Sequence, residues 1–272
     1  MDPQAAAQWS RRRLKVLGSG LSPWLHEEVG RRMQERLDVI KLKPQHWLAW
    51  EPLRSGLESI GLIQARYAQA QCHVYARQLL EREQATGKLQ KPWWQPARWL
   101  NPLQVHDGVP AKQNMLWANM VLHTSADPQA MMGQWHHALE VDGFVMFSCL
   151  GPDTLRELRA LYAAQGWAPP AHEFTDMHDW GDMLVQAGFA EPVMDMERIT
   201  LTFETPERLL LELRELGRNL SLHRNSGLKG RQWHAQLLQA LHQLARPEDD
   251  GRLVLTFEVI YGHALKPQAR AK

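Results

Sequence analysis

The chain has 272 residues, 44% of them hydrophobic, with 31 basic against 30 acidic side chains and two cysteines. That length and apolar content sustain a large core and exclude an intrinsically disordered chain. The balanced charge excludes the global basic field that drives nucleic-acid or membrane-surface binding, and no run approaches the ~20 apolar residues of a membrane span.

Residues 1–22 are polar and contain glycine; Arg11, Arg12 and Arg13 are followed by no apolar run of the kind a secretory signal needs. They read as a flexible arm ahead of one domain over 23–272. From Pro23 a helix is expected, because Leu25, Val29, Met33 and Leu37 recur on one face. Trp47 to Trp50 form a short apolar strand. In a nucleotide-type fold the turn after it is glycine-rich, since glycine lets backbone amides approach a cofactor. Here the turn reads Glu51-Pro52-Leu53-Arg54, and glycine appears only at Gly56. A helix over 57–68 and a strand over 72–76 follow, and the Pro-, Trp- and Lys-rich stretch from Gln84 to Pro110 reads as loop.

MLWANMVL (115–122) is a continuous apolar run, as in a strand buried on both faces. Asp127-Pro128 is an N-cap with proline at the first helical position, and Met131, Met132, Trp135 and Leu139 form a helix face. FVMFSCL (144–150) is a second buried strand. Strand, helix, strand in that order is a βαβ unit with parallel neighbours. Further helices open at Gly151-Pro152-Asp153-Thr154 and at about Asp176, the latter stopping at Gly188. Residues 192–203 and 252–265 alternate as strands do. The helical stretches between them make an insert at about 204–250, on the side of the sheet where open α/β folds bind ligands. Cys72 and Cys149 lie far apart in apolar runs, which suits buried thiols in a reducing, cytoplasmic compartment.

Taken together, MLWANMVLH, DGFVMFSCLGPDTLRELR, FTDMHDWGDMLVQAGFAEPVMDMERITLTF and YGHAL resemble the malonyl-acyl-carrier-protein O-methyltransferases of biotin synthesis, a branch of the class I S-adenosylmethionine (SAM) methyltransferases. The resemblance is close over about 114–265 and holds in outline over 20–80. It implies a Rossmann-like α/β fold with a seven-stranded sheet, an antiparallel last strand and a helical lid before it. It also implies SAM as cofactor and methyl transfer to the free carboxylate of a malonyl thioester on acyl carrier protein. A carboxylate is already ionised at neutral pH, so such chemistry asks for alignment and desolvation, not for a general base.

Carried onto this chain, the resemblance places Asn119 and His123 nearest the reacting centre and Trp50, Glu51, Gly56, Asp107 and Asn119 around the cofactor. Arg156 and Arg214 are candidates for the malonyl carboxylate, because guanidinium groups pair bidentately with carboxylates. Tyr261 is a further substrate-facing candidate, with packing at the end of the last strand as the alternative. Arg218, His223, Arg224, Lys229 and Arg231 form a basic loop suited to an acidic partner such as acyl carrier protein; the alternative is an exposed polar loop. No metal is expected. Adjacent His136 and His137 diverge on a helix, and neither CxxC nor HExxH spacing occurs. Nothing near Cys149 marks a paired base that would make it a nucleophile.

The family's first motif, an acidic residue followed by alternating glycines, falls on Ala49 to Gly56, with Glu51, Leu53 and Ser55 at the glycine positions. The ribose-holding carboxylate at the end of the second strand falls at Ala76-Arg77, and the Asp before the fourth strand is Asn114 or is supplied by Asp107. Losing a charged hydrogen-bond partner costs roughly 1.5–3 kcal/mol, so two such losses imply SAM binding weakened on the order of a hundredfold. Replacement contacts would come from the Trp-rich 93–105 segment. Two alternatives follow: a catalytically inactive pseudo-methyltransferase that binds a partner, and an enzyme of the same fold that modifies a protein side chain.

Overall fold

The computed structural model describes residues 1–16, 22–90, 93–94, 102–225, 227 and 229–268. The strands are β1 (His46–Trp50), β2 (Gln71–Tyr75), β3 (Gln104–His106), β4 (Gln113–Ala118), β5 (Leu139–Leu150), β6 (Ala190–Phe203), β7 (Ala245–Arg246) and β8 (Arg252–Leu265). They form one sheet in the order β3-β2-β1-β4-β5-β8-β6, with the two-residue β7 added beside β8. Strands β1 to β5 are parallel, and β8 runs antiparallel between β5 and β6. This is the expected class I methyltransferase-like sheet with its antiparallel last strand.

Period-two alternation sends successive side chains to opposite faces. Trp47, Ala49, Met115 and Trp117 join one core, whereas Leu48, Trp50, Leu116 and Ala118 join the other. On the first face lies α2 (Trp24–Glu35), whose Leu25, Val29 and Met33 are fully buried. On the second lie α6 (Pro128–Ala138) and α8 (Met177–Gln186), through Met132, Trp135, Trp180 and Leu184. The Asp127 side chain caps α6 by accepting from the Ala130 amide at 2.8 Å, as the Asp-Pro pair predicts. The remaining helices are α3 (Pro52–Ser55), α4 (Leu57–Arg66), α5 (Leu79–Leu89), α7 (Arg156–Ala164), α9 (Pro206–Leu216) and α10 (Arg231–Leu241). Helices α9 and α10 form the insert between β6 and β7.

Strand β8 pairs with β5 only from Val259 onward, but with β6 from Leu253 onward. The β6–β8 ribbon therefore overhangs the rest of the sheet, and the insert starts at its tip. Across the overhang, the other edge of β8 meets the turn at 151–157, with Leu155 N–H on Thr256 C=O at 2.7 Å, and the short β7.

Two expectations are corrected. The start of the chain, expected as a flexible arm, contains α1 (Pro3–Val16), with Asp2 accepting from the Gln4 and Ala5 amides and with Ala6 and Trp9 buried against Leu220. The alanine run supplies helix propensity that the polar neighbours mask. The expected loop from Gln84 is helical as far as Leu89, because the Gln78–Glu81 capping box starts α5, and it carries β3 further on. Of the Trp-rich segment, residues 95–101 lie outside the described residues.

Candidate active site

The turn after β1 is built from packing needs. Glu51 takes a left-handed φ of 46°, α3 follows, and Gly56 closes the turn at φ 103°. The Glu51 amide donates to Tyr75 C=O at 2.8 Å, which ties the turn to the end of β2. Pro52 and Leu53 are buried. A Cβ at Gly56 would lie 3.0 Å from Glu27 Oε2 and 3.2 Å from His26 C=O, so this glycine lets the turn pass under α2. Trp50 is buried between Tyr75 and Trp135. Asp107 is exposed just past β3.

Above the carboxyl ends of β1 and β2 lies a cleft of about 550 Å³, lined by Glu51, Arg54, Arg77, Gln78, Val121 and Thr124 and bordered by Ala6 and Ala7 of α1. Charge alternates along one wall. Arg54 sits 2.6 Å from Glu81 and 3.6 Å from Glu51, and Arg77 lies 4.0 Å from the other oxygen of Glu51. Arg77 occupies the end of β2, where a carboxylate was expected.

This cleft suits SAM in place, size and donor chemistry. Its volume falls in the usual range for small-molecule sites, roughly 300–1,000 Å³. A buried carboxylate matches a diol or a cation, and guanidinium groups match an amino-acid carboxylate. The cleft lacks the glycine turn: Pro52 offers no amide hydrogen, and Leu53 packs beneath it.

Beside the cleft, under the insert, is an apolar pocket of about 120 Å³. Its walls include Trp9, Leu150, Leu158, Phe174, Leu213 and Phe257, and its polar edge carries His123, Thr124, His172 and Arg218. His172 Nε2 lies 3.0 Å from the His123 carbonyl, a contact that makes Nε2 the protonated nitrogen. Burial lowers the His172 pKa below the ordinary histidine value and keeps the ring neutral. The His123 ring packs edge-on to Phe174. Thr124 borders both the cleft and the pocket.

The other sequence candidates sit elsewhere. Asn119 is fully buried: its Nδ2 donates to His26 C=O at 2.8 Å and to Ser55 C=O, and its Oδ1 accepts from Ser148 Oγ at 2.6 Å. Its side chain joins α2, α3 and β5 and does not line the cleft. Arg156 is exposed and paired with Glu157 at 3.1 Å, and Arg214 is exposed on α9; neither lines the cleft or the pocket. Tyr261 faces α2, with Arg36 stacked 3.7 Å above its ring and its hydroxyl donating to Glu197. Burial, then Glu197, raises the pKa of its phenol.

The basic loop is partly used in holding the fold. Arg224 pairs with Asp2 at 2.6 Å, Arg218 lies 5.7 Å from the Trp9 ring centre and Lys229 lies 4.2 Å from that of Trp233. Cys149 is wholly buried, and desolvation drives its thiol pKa far up. Among the described residues no group of three or more metal-ligating side chains is arranged to hold an ion. Residues that sequence reasoning missed are Trp9, Thr124 and His172. Thr124 was within reach, since it follows MLWANMVLH directly; Trp9 and His172 reach the pocket only through tertiary folding.

The chain is 39% identical over 262 residues to the malonyl-[acyl-carrier protein] O-methyltransferase of Gallionella capsiferriformans, covering 93% of this chain and 88% of that one. It is 38% identical over 258 residues to the enzyme of the same name from Laribacter hongkongensis, covering 91% and 84%. Among solved structures, the YcgJ protein of Bacillus subtilis superposes with a TM-score of 0.57 at 9% identity, covering 88% of this chain and 100% of that one. A putative methyltransferase of Bacillus halodurans gives 0.55 at 12% identity, covering 89% and 100%. These two likenesses establish the fold. No family model matches the chain.

Proposed function

This chain belongs to the malonyl-acyl-carrier-protein O-methyltransferase family, and on that premise we propose that it methylates the free carboxylate of a malonyl group carried as a thioester on acyl carrier protein, in the cytoplasm, with SAM as donor. Bound SAM supplies an electrophilic methyl group on a sulfonium.

The observation that carries the reading is the junction at Thr124, where the charged cleft and the apolar pocket share one turn. A donor in the cleft and an acyl group in the pocket face each other across that turn, which is the alignment that in-line transfer needs. The pocket walls strip water from the incoming carboxylate, and no side chain has to remove a proton. Arg218, at the pocket edge, is better placed than Arg156 or Arg214 to meet the carboxylate. The neutral His172 ring adds no competing charge. The basic residues of the insert suit the acidic surface of a carrier protein.

The test is incubation of the pure protein with SAM and malonyl-acyl carrier protein, with mass analysis for the methyl ester. The ester is expected. Its absence at enzyme stoichiometric with substrate overturns the proposal and leaves the partner-binding and side-chain-modifying readings in front.

A further inference from the structure

We infer that Glu51 supplies the ribose-binding carboxylate that the end of β2 lacks in this chain, so that this part of the cofactor site has moved from one strand to its neighbour. The inference rests on the reading that SAM is the donor.

A ribose diol presents two O–H donors, which a carboxylate accepts with two oxygens. The end of β2 offers Tyr75, Ala76 and Arg77, none of which is acidic. Among the described residues lining the cleft, Glu51 is the acidic one. Glu81, the next acidic group along the wall, is 1% exposed, does not line the cleft and receives Arg54 at 2.7 Å.

Three features aim Glu51 toward the missing position. Its amide bonds to the carbonyl of Tyr75, so its Cα lies beside the last residue of β2. Its left-handed backbone, which residues bearing side chains seldom adopt, turns the chain out of β1 at this point. Its two carboxylate oxygens are flanked by Arg54 at 3.6 Å and Arg77 at 4.0 Å. These distances exceed hydrogen-bond length, so the cations act on the carboxylate by charge. One of the two oxygens is turned toward Arg77 at the end of β2. Arg77, which stands where the usual carboxylate would, thereby locates its substitute. With the diol held again by a carboxylate, one of the two lost charged contacts is made good, and the deficit in cofactor affinity falls from about a hundredfold to about tenfold.

The experiment is calorimetric titration of the full chain with S-adenosylhomocysteine and with its 2′-deoxyribose analogue. Wild type and Glu51→Gln are compared. The expected result is that Glu51→Gln binds S-adenosylhomocysteine about tenfold more weakly, while for the 2′-deoxy analogue, which keeps only the 3′ hydroxyl, the same substitution costs less, and the difference closes a double-mutant cycle on the 2′ hydroxyl. Glu51→Asp, which keeps the charge beside Arg54 but withdraws it from the cleft, is expected to show the same loss and covers the case in which the amide variant does not fold. Equal binding of S-adenosylhomocysteine by wild type and the folded variants overturns the role of Glu51 and leaves the SAM reading intact. No binding by wild type at millimolar ligand overturns both.

Discussion

Asn119 is enclosed by three elements, and its amide makes hydrogen bonds to each: His26 in α2, Ser55 in α3 and Ser148 in β5. Ser148 Oγ in turn accepts from the Met120 amide at 3.0 Å. Removing the amide leaves two carbonyls and a hydroxyl buried without that partner, and each unsatisfied group costs about 1–3 kcal/mol. Asn119→Ala is therefore expected to lower unfolding stability by about 3 kcal/mol, measured by urea titration. A reacting-centre role would show instead as lost turnover at unchanged stability.

His73 gives a second test at this scale. Its Nδ1 lies 2.9 Å from His106 Nε2, and the His46 ring centre lies 5.8 Å away. Burial, followed by repulsion from His106 and His46, lowers its pKa to about 4. The ordinary histidine value is near 6.5, so between these values the unfolded chain takes up a proton that the folded chain refuses. Above pH 6.5 both states are neutral and the group has no effect. As pH falls toward 4, stability is lost. Linkage gives a loss of about 1–2 kcal/mol between pH 7 and pH 5. His73→Gln is expected to flatten that slope in urea unfolding at the two pH values.

At the level of elements, α1 joins the two halves of the site. Ala6 and Ala7 border the cleft, Trp9 lines the pocket, and Asp2 ties the helix to Arg224 of the insert. Deleting residues 1–16 removes one wall from each space but no part of the sheet. The truncated protein is expected to keep its circular dichroism and a cooperative melt while losing about tenfold or more in kcat/KM on malonyl-acyl carrier protein, because the groups are no longer held in line. A truncated protein with full kcat/KM would show α1 to be incidental.

Elements with strong local signals were legible: the 115–150 βαβ unit has long apolar runs and an Asp-Pro cap, and the structure keeps both. Helix α1 was not, because an alanine run among arginines matches a solvated arm in composition and is distinguished by its docking on Leu220. Tyr261 was misplaced for a different reason. Strand β8 is buried on both faces, so alternation assigns Tyr261 to a face without saying whether that face meets the cleft or α2.

Across the whole molecule, the parallel pairing of β4 with β5 was legible in the sequence and the antiparallel last strand in the resemblance, whereas the site was recoverable only in outline. The altered turn at 51–56 was visible in the residues. That Glu51 lies beside Arg77 depends on the parallel pairing of β1 with β2, which no local pattern encodes. Arg156 and Arg214 have suitable chemistry but face outward, an orientation set by how α7 and α9 seat. The two thiols illustrate the global fold more simply. Cys72 and Cys149 are both buried, so Ellman's reagent is expected to label them at the rate of unfolding, with prompt labelling only in urea. Prompt labelling of either thiol in the native protein would contradict its burial.

The overhang of the β6–β8 ribbon bears on how the apolar pocket is walled. From Leu253 to Glu258 the ribbon projects beyond β5, a reach of about 20 Å at ~3.4 Å per residue, and α9 and α10 hang from its end. One side of the apolar pocket, at His123 and Thr124, belongs to the short helical turn after β4, while Leu213 and Leu216 on another side belong to the insert. The turn at 151–157 and β7 clamp the outer edge of β8 along this stretch, so the insert stands on a braced bracket, and the side of the pocket that it supplies is fixed by the same hydrogen bonds that close the edge of the sheet.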